Sequence, residues 1–264
     1  MKKGFDSAIY IKAQSREVLK RVRKFKRLYL EWGGKLLYDG HASRVLPGYD
    51  ITSKAKILKK LKNNEIIYCI NAMDLESKRI VGLGKMNYEE QSLKDLRDIK
   101  KFSLRNNIVV ITRFTHEKKA VEFAKKLESI GKKVYFHREI KGYLRNVNNA
   151  IKGYEEQPYI PIKSNLIVIS GPAGGSGKMS VALSQIYHER KQGVQSGFAK
   201  FETFPIWSLD PKHPINLAYE AATANLGDEV MIDKLHKKYY KIDLYIKNFK
   251  FHYFIKCKSN ANFE

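Results

Sequence analysis

Cysteine and long apolar runs are scarce in this chain, and each absence excludes a class of protein. Cys69 lies in an apolar run and Cys257 near the end, and no CxxC spacing occurs. Neither a disulfide framework nor a zinc site is therefore predicted. No uninterrupted apolar run approaches the roughly 20 residues of a membrane span, and the opening stretch MKKGFDSAIYIK has no apolar signal-peptide segment. The sequence predicts a cytoplasmic protein without a membrane partner.

Several familiar catalytic motifs are also missing. The sequence contains no HExxH, no histidines at metal-ligand spacing, no GxSxG and no cysteine–histidine pair. Metalloprotease, hydrolase-triad and thiol chemistry therefore have no support in the sequence, and no metal site is predicted.

Acidic residues are outnumbered: 50 Lys and Arg against 27 Asp and Glu give a formal net charge of +23. Such an excess is typical of proteins with a polyanionic partner. The basic residues are mostly lysines in short, scattered groups, without the interleaved aromatics of a single-strand binder. A compositional bias toward lysine explains the charge about as well as nucleic acid does, so both interpretations stay open. The composition is also compatible with a homo-oligomer.

Helical and strand-like patterns alternate along the chain, which predicts βαβ units and a parallel sheet. A helix over residues 5–27 leads into the strand RLYLEWGG, and the paired glycines predict a hairpin-like turn to a second strand, KLLYDG. Alternation then continues through TSKAKILKKLKN, EIIYCIN, EEQSLKDLRDIKKF, NIVVITRF, EKKAVEFAKKLESIG and KKVYFHRE.

The stretch GYEEQPYIPIKSN has two prolines and no periodicity, so it is the predicted linker. We expect two Rossmann-like units with mostly parallel sheets: an N-terminal α/β domain at residues 1–157 and an incomplete second unit at residues 158–240. Residues 241–264 are expected to form a divergent tail that packs poorly.

A glycine-rich stretch opens the second unit. NLIVIS reads as a strand, GPAGGSGK as a loop and MSVALSQIYHE as a helix. Such a loop lets backbone N–H groups converge on an anion, and the helix N-terminus and Lys178 add positive charge. The candidate phosphate-binding residues are Gly171, Gly174, Gly175, Ser176, Gly177 and Lys178, joined by Arg44 from the first unit.

The loop departs from the phosphate-loop motif G-x-x-x-x-G-K-[ST] at both ends. Pro172 stands where the first glycine belongs, and Met179 where the magnesium-binding hydroxyl belongs. Gly171 serves only in a longer loop, and Ser176 or Ser180 would have to supply the hydroxyl. A nucleotide, with or without magnesium, is therefore one candidate cofactor. The alternative is a tight turn whose glycines permit close packing while Lys178 faces solvent.

Three further residues are candidates for catalysis. Asp39 and His41 lie with Ser43 and Arg44 in a short polar stretch, of the kind on which sites are often built. We expect Asp39, His41 and Arg44 to line the same crevice as the glycine loop, although a structural loop closed by an ion pair is the alternative. Glu202 follows a second predicted strand, and we expect it beside the loop as a ligand of a metal ion or water.

Polar residues also follow three predicted strands, where ligands of parallel sheets are often bound. They are Asn71 and Asp74, Arg113 and Thr115, and His137 and Arg138.

Four blocks of the sequence carry a resemblance to a known family. They are GFD, LYLEWGGKLLYDGHASRVLPGYD, GPAGGSGKMSVALSQIYHE and GFAKFETFPIWSLDPKHPINLAYEAATANL. In these blocks the chain resembles the uncharacterised bacterial family catalogued as domain of unknown function 1846. The resemblance implies a cytoplasmic multidomain α/β protein without an established activity. Members of that family are much longer, and the similarity fades after MIDKLHKKYY, as a frameshift or premature stop would produce.

Four classes of function follow from these observations. The leading one is an enzyme or nucleotide-dependent protein that acts on a phosphorylated small molecule. The others are a non-catalytic ligand-binding or regulatory module, a nucleic-acid-binding protein and an inactive truncated product.

Overall fold

The computed structural model of the chain describes most of residues 5–201 and three short strands beyond them. The described ranges are 5–45, 48–81, 86–142, 147–201, 229–232, 245–249 and 252–253. Only the backbone is described for His41, Arg44, Val45, Val147 and the residues after Phe201.

Eight helices lie in the described part of the chain. They are α1 (Ser7–Val22), α2 (Gly40–Val45), α3 (Ser53–Lys60), α4 (Ala72–Glu76), α5 (Tyr88–Lys101), α6 (Lys118–Ser129), α7 (Val147–Glu156) and α8 (Lys178–Lys191). Local signals account for several helix starts. Asp6 caps α1 by accepting hydrogen bonds from the N–H groups of Ala8 and Ile9, and Asn87 and Glu90 form a capping box at α5.

Six strands build the main sheet: β1 (Arg27–Trp32), β2 (Asn64–Asn71), β5 (Ile108–Phe114), β6 (Lys133–Arg138), β7 (Leu166–Ser170) and β8 (Ser196–Phe201). Their order is β6-β5-β2-β7-β1-β8, and every neighbouring pair is parallel. The prediction of an α/β fold with a mostly parallel sheet is therefore confirmed. β3 (Ile80–Val81) and β4 (Met86–Asn87) form a separate antiparallel pair.

Both faces of the sheet are covered, which explains why its central strands are almost uniformly apolar. All five residues of β7 are buried. Alternate side chains face two cores. The larger core includes α1, α3, α5 and α6, while the smaller core packs β-strand residues against Val181 and Ala182 of α8 and against Ile160 and Ile162.

The prediction of a hairpin after β1 is wrong. Residues 33–39 form no strand, and Leu36 and Leu37 are instead buried in the larger core. The physical reason is the position of β1, which pairs with β7 on one side and with β8 on the other. Neither edge of β1 is left for KLLYDG.

The expectation of two separate sheets also differs from the structure. β7 and β8 follow the expected boundary at residues 157–158, yet they lie in one sheet with β1 and β2. The predicted linker is partly helical, because α7 continues to Glu156. The boundary therefore does not divide the sheet, because strands from both of its sides share one core.

Beyond Phe201 the described residues are three strands. β9 (Glu229–Ile232), β10 (Tyr245–Phe249) and β11 (His252–Tyr253) pair antiparallel in the order β11-β10-β9. Since no side chains are described here, poor packing of the tail stays a prediction. The same holds for the domain limit at residue 240.

Candidate functional site

The glycine-rich loop lies at the carboxyl edge of the sheet. β7 ends at Ser170, and the chain crosses residues 171–177 before α8 begins at Lys178. The strand–loop–helix order predicted from the sequence is therefore confirmed. Because β7 lies inside the sheet, between β2 and β1, the ends of neighbouring strands surround the loop. Ligands of parallel sheets bind at such edges.

The glycines of the loop have different roles. Gly175 and Gly177 have φ angles of +83° and +78°, a conformation that other residues adopt only with strain. A Cβ atom on Gly171 would lie 2.3 Å from the Ser176 hydroxyl, whereas one on Gly174 would meet nothing within 4 Å. Close packing, one alternative raised by the sequence, accounts for Gly171 but not for Gly174.

Five successive carbonyl groups of the loop, those of residues 172–176, each accept a hydrogen bond from a side chain. Lys35 Nζ donates to Pro172 at 3.3 Å, and Lys178 Nζ donates to Ala173 at 3.3 Å. Arg79 donates to Gly174 at 3.0 Å. The donors to Gly175 and Ser176 are Asn71 Nδ2 at 3.1 Å and the Thr112 hydroxyl at 3.0 Å. The carbonyl side of the loop is thus bound to the rest of the protein.

The N–H side of the loop is different. Throughout the described part of the chain, no protein acceptor receives a hydrogen bond from the backbone N–H groups of residues 174–178. Backbone donors are normally paired with protein or water. The loop therefore offers consecutive donors beside the positive end of the α8 dipole.

Lys178 lies over the loop rather than extending into solvent. The residue is half-buried, and its Nζ is 3.3 Å from both the Ala173 carbonyl and the Ser176 hydroxyl. Lys35 and Arg79 contact the same loop from other segments. Three cationic groups therefore surround the loop.

Asp39 has a structural environment. Its carboxylate accepts from the Ala42 N–H at 3.0 Å, which starts α2, and lies 3.0 Å from Lys54 Nζ. Lys54 also donates to the Gly33 carbonyl at 3.2 Å. The polar stretch is thus the start of a helix held by an ion pair between Asp39 and Lys54 of α3. A crevice shared by Asp39 and the loop stays a prediction.

The remaining candidates are His41, Arg44 and Glu202. The side chains of His41 and Arg44 and the whole of Glu202 lie outside the described residues. Glu202 follows β8 in the sequence, and β8 does not pair with β7. β1 lies between them.

Of the three polar pairs at strand ends, one reaches the loop. Asn71 contacts Gly175 and also caps α4, accepting from the Met73 N–H at 2.9 Å. Asp74 pairs with Arg79 at 3.0 Å.

The other two pairs engage other partners. Arg113 pairs with Glu139 at 2.7 Å, and Thr115 bonds with Glu117. The Arg138 N–H donates to Gln157 at 2.8 Å, while His137 is buried.

Three loop contacts were not predicted from the sequence: Lys35, Arg79 and Thr112. They lie 137, 95 and 64 residues from their partners in the loop, so no local motif joins them. Glu31 was missed as well, although a carboxylate inside the apolar run RLYLEW was a visible signal. Its register partner is Ile169 of β7, and its side chain is only 14% exposed, with Lys200 Nζ at 3.8 Å.

The pKa of the Cys69 thiol depends on burial and on the charges at this edge of the sheet. Burial raises the pKa of its thiol to about 12, while the positive charge of Lys178 opposes the rise and the negative charge of Glu31 adds to it. The thiol is therefore protonated and unreactive at neutral pH.

The described residues contain neither a metal-binding cluster nor a helix that could cross a membrane. In the described part of the chain, no three His, Cys, Asp or Glu side chains gather closely enough to hold a metal ion. None of the helices in the described ranges has the length and apolar character needed to cross a membrane.

Fold and site together define an α/β protein with a glycine-rich strand–loop–helix at the carboxyl edge of a parallel sheet. Residues 3–254 match the family described as "Domain of unknown function DUF1846, N-terminal", and the chain belongs to that family. The resemblance seen in the sequence is therefore confirmed.

Named relatives agree with this assignment. A UPF0371 protein of Clostridium tetani (strain Massachusetts / E88) is 47% identical over 239 residues, which cover 89% of this chain and 48% of the relative. A UPF0371 protein of Clostridium botulinum (strain Eklund 17B / Type B) is 44% identical over 243 residues, which cover 91% of this chain and 48% of the relative. The chain thus spans about half the length of the curated relatives it matches.

Proposed function

We propose that the glycine-rich loop binds the phosphate group of a phosphorylated small molecule or nucleotide. The observation that carries this proposal is the division of the loop into two sides. Its carbonyl groups accept hydrogen bonds from five side chains, whereas the N–H groups of residues 174–178 donate to no protein acceptor in the described ranges. An anion is the ligand that such donors suit.

The surrounding charges favour the same ligand. Lys178 and Lys35 each lie 3.3 Å from a loop carbonyl. These weak contacts can be exchanged for stronger, charge-assisted hydrogen bonds to phosphate oxygens. The absence of side chains at Gly174 and Gly175 lets a phosphate approach the backbone closely.

Magnesium has a smaller part in this proposal than in a phosphate loop with the standard sequence. Met179 stands at the position of the metal-binding hydroxyl. Ser176 is buried, and its hydroxyl already accepts a hydrogen bond from Lys178. We therefore expect phosphate binding by N–H groups and cationic side chains to persist without a divalent cation.

Thermal unfolding with a panel of ligands tests the proposal. The panel holds inorganic phosphate, pyrophosphate, ATP, NAD⁺ and a hexose phosphate, each with magnesium and with a chelator. A ligand at a hundredfold excess over its Kd stabilises the folded state by about 2.7 kcal/mol. Lys178→Met should abolish the shift and leave the unliganded protein nearly as stable.

Lys118→Met is the matched control, because Lys118 is an exposed lysine at the start of another helix, α6. This variant should retain the full shift. If no member of the panel stabilises the wild-type protein, the proposal is wrong. For a ligand that binds, release of product over time would distinguish an enzyme from a non-catalytic binding module.

A further inference from the structure

Four basic residues of α1 and its C-cap, together with one of α3, line a groove between the two helices. The groove has a volume of about 550 Å³, and its lining includes Lys12, Arg16, Lys20, Arg23 and Lys60. No Asp or Glu is among its lining residues. We call this feature the basic groove.

The spacing of the charges makes the basic groove a row rather than a point. Lys12, Arg16, Lys20 and Arg23 follow one another at intervals of four, four and three residues along α1 and its C-cap. The intervals correspond to about 4.5–6 Å along a helix, and the whole row to about 16 Å. A single phosphate cannot neutralise such a row, whereas a chain of regularly spaced phosphates can.

These charges have few partners of their own. In the described ranges, Lys12, Lys20, Arg23 and Lys60 form no ion pair. Arg16 lies 3.8 Å from Glu17, but its side chain is 73% exposed, so solvent weakens the pair. The basic groove therefore keeps nearly all of its positive charge.

The remaining lining residues of the basic groove, Ser15 and Leu19, are uncharged. The Ser15 hydroxyl is buried beneath the groove. The cationic side chains are therefore the groups that would contact a ligand.

We propose that the basic groove binds the phosphodiester backbone of a nucleic acid. The formal net charge of +23 favours association with such a polyanion. The lining contains no aromatic side chain on which a base could stack. Contacts to the backbone alone carry no sequence information, so binding should be independent of base sequence. This site is separate from the glycine-rich loop and does not depend on its ligand.

Salt dependence of binding to a short duplex DNA of mixed sequence is the primary test. Five phosphate contacts predict a slope of log K against log salt of about −4.5, and removing three of them should reduce its magnitude by about 2.7. The variant is Lys12→Gln/Arg16→Gln/Lys20→Gln, whose positions are all exposed.

The matched control is Lys118→Gln/Lys125→Gln/Lys163→Gln. It removes the same charge from three exposed lysines outside the basic groove. This control should keep the wild-type slope, and melting temperatures would confirm that both triple variants fold. Equal losses in the two variants would show that binding is diffuse and overturn the proposal. No binding to duplex DNA, or tighter binding to anionic phospholipid vesicles than to DNA, would overturn it as well.

Discussion

Thr112 on β5 and Gly177 before α8 are in such close contact that no side chain fits between them. A Cβ atom on Gly177 would lie 2.7 Å from Thr112 Oγ1. The same hydroxyl donates to the Ser176 carbonyl at 3.0 Å. The end of β5 therefore fixes the start of α8, although β2 lies between β5 and β7 in the sheet.

Gly177→Ala should destabilise the protein by about 2–5 kcal/mol. Two costs add: about 1–2 kcal/mol for a left-handed conformation, and about 1–3 kcal/mol for overpacking against Thr112. Denaturation by urea would measure the change in the free energy of unfolding. Gly193→Ala separates the two costs, because Gly193 has a φ of +74° but open space around it. The contact between Thr112 and Gly177 would be disproved by equal losses in the two variants.

Asp39→Asn should destabilise the protein by about 3–5 kcal/mol, because it removes one charge of a buried ion pair. The side chains of Asp39 and Lys54 are 8% and 1% exposed and lie 3.0 Å apart. Burial lowers the pKa of Lys54, and Asp39 opposes this shift. The amide oxygen of asparagine can still accept from the Ala42 N–H, so the loss reports mainly the charge.

A double-mutant cycle with Lys54→Met tests this interpretation of Asp39. Removing both charges should cost less than the sum of the two single substitutions. Additive losses would show that the pair contributes no coupling. Asp39 would then again be a candidate for the functional site, because the ion pair would not explain its presence.

Elements with a local pattern were predictable from the sequence, and long-range arrangements were not. β2 is an apolar run of strand length, and α5 begins with a capping box, so both are evident in a short window. The place of β7 between β2 and β1 is different. An apolar strand buried on both faces fits equally well elsewhere in a sheet, so no short window showed that β7 and β8 pair with β1.

The residues of the candidate site also fall into two groups, those with a local signal in the sequence and those brought together by strand pairing. Glycines next to a lysine are a local signal, so the loop was found. Its contacts with Lys35 and Arg79 depend on how β1 and β2 pair with β7. Strand order also explains why Glu31 was missed, since it lies on β1, which pairs with β7.

His137 should make stability depend on pH. Burial lowers its pKa to about 3, with a contribution from the charge of His188. The unfolded chain binds the proton near pH 6.5, so between these values the unfolded state holds more protons. The contribution of His137 to the free energy of unfolding is therefore complete above pH 6.5. It falls as the pH decreases, by up to about 1.4 kcal/mol per pH unit. Denaturation at a series of pH values would measure this slope.

His137→Leu should reduce the difference in the free energy of unfolding between neutral and mildly acidic pH. His116→Leu is the control, because His116 is exposed. Apart from Glu117, whose pKa His116 helps to lower, the carboxylates contribute equally to both variants, so the comparison isolates the buried ring. A slope that is unchanged in His137→Leu would contradict the assignment of a neutral His137 in the folded protein.

Arg79 and Arg113 allow the phosphate proposal to be tested with a matched pair of substitutions. Arg79 follows α4 and Arg113 lies near the end of β5. Both are half-exposed, and each forms one ion pair, Arg79 with Asp74 and Arg113 with Glu139. Only Arg79 also donates to the glycine-rich loop. Exposed pairs of this kind contribute at most about 1 kcal/mol to stability. Arg79→Gln and Arg113→Gln should therefore both have a free energy of unfolding close to that of the wild type.

Titration calorimetry with pyrophosphate should nevertheless show a loss of affinity of about tenfold for Arg79→Gln alone, equivalent to about 1.4 kcal/mol. Equal affinities in the two variants would remove Arg79 from the anion site, because a cation that only stabilises its own ion pair has no reason to affect a ligand of the loop.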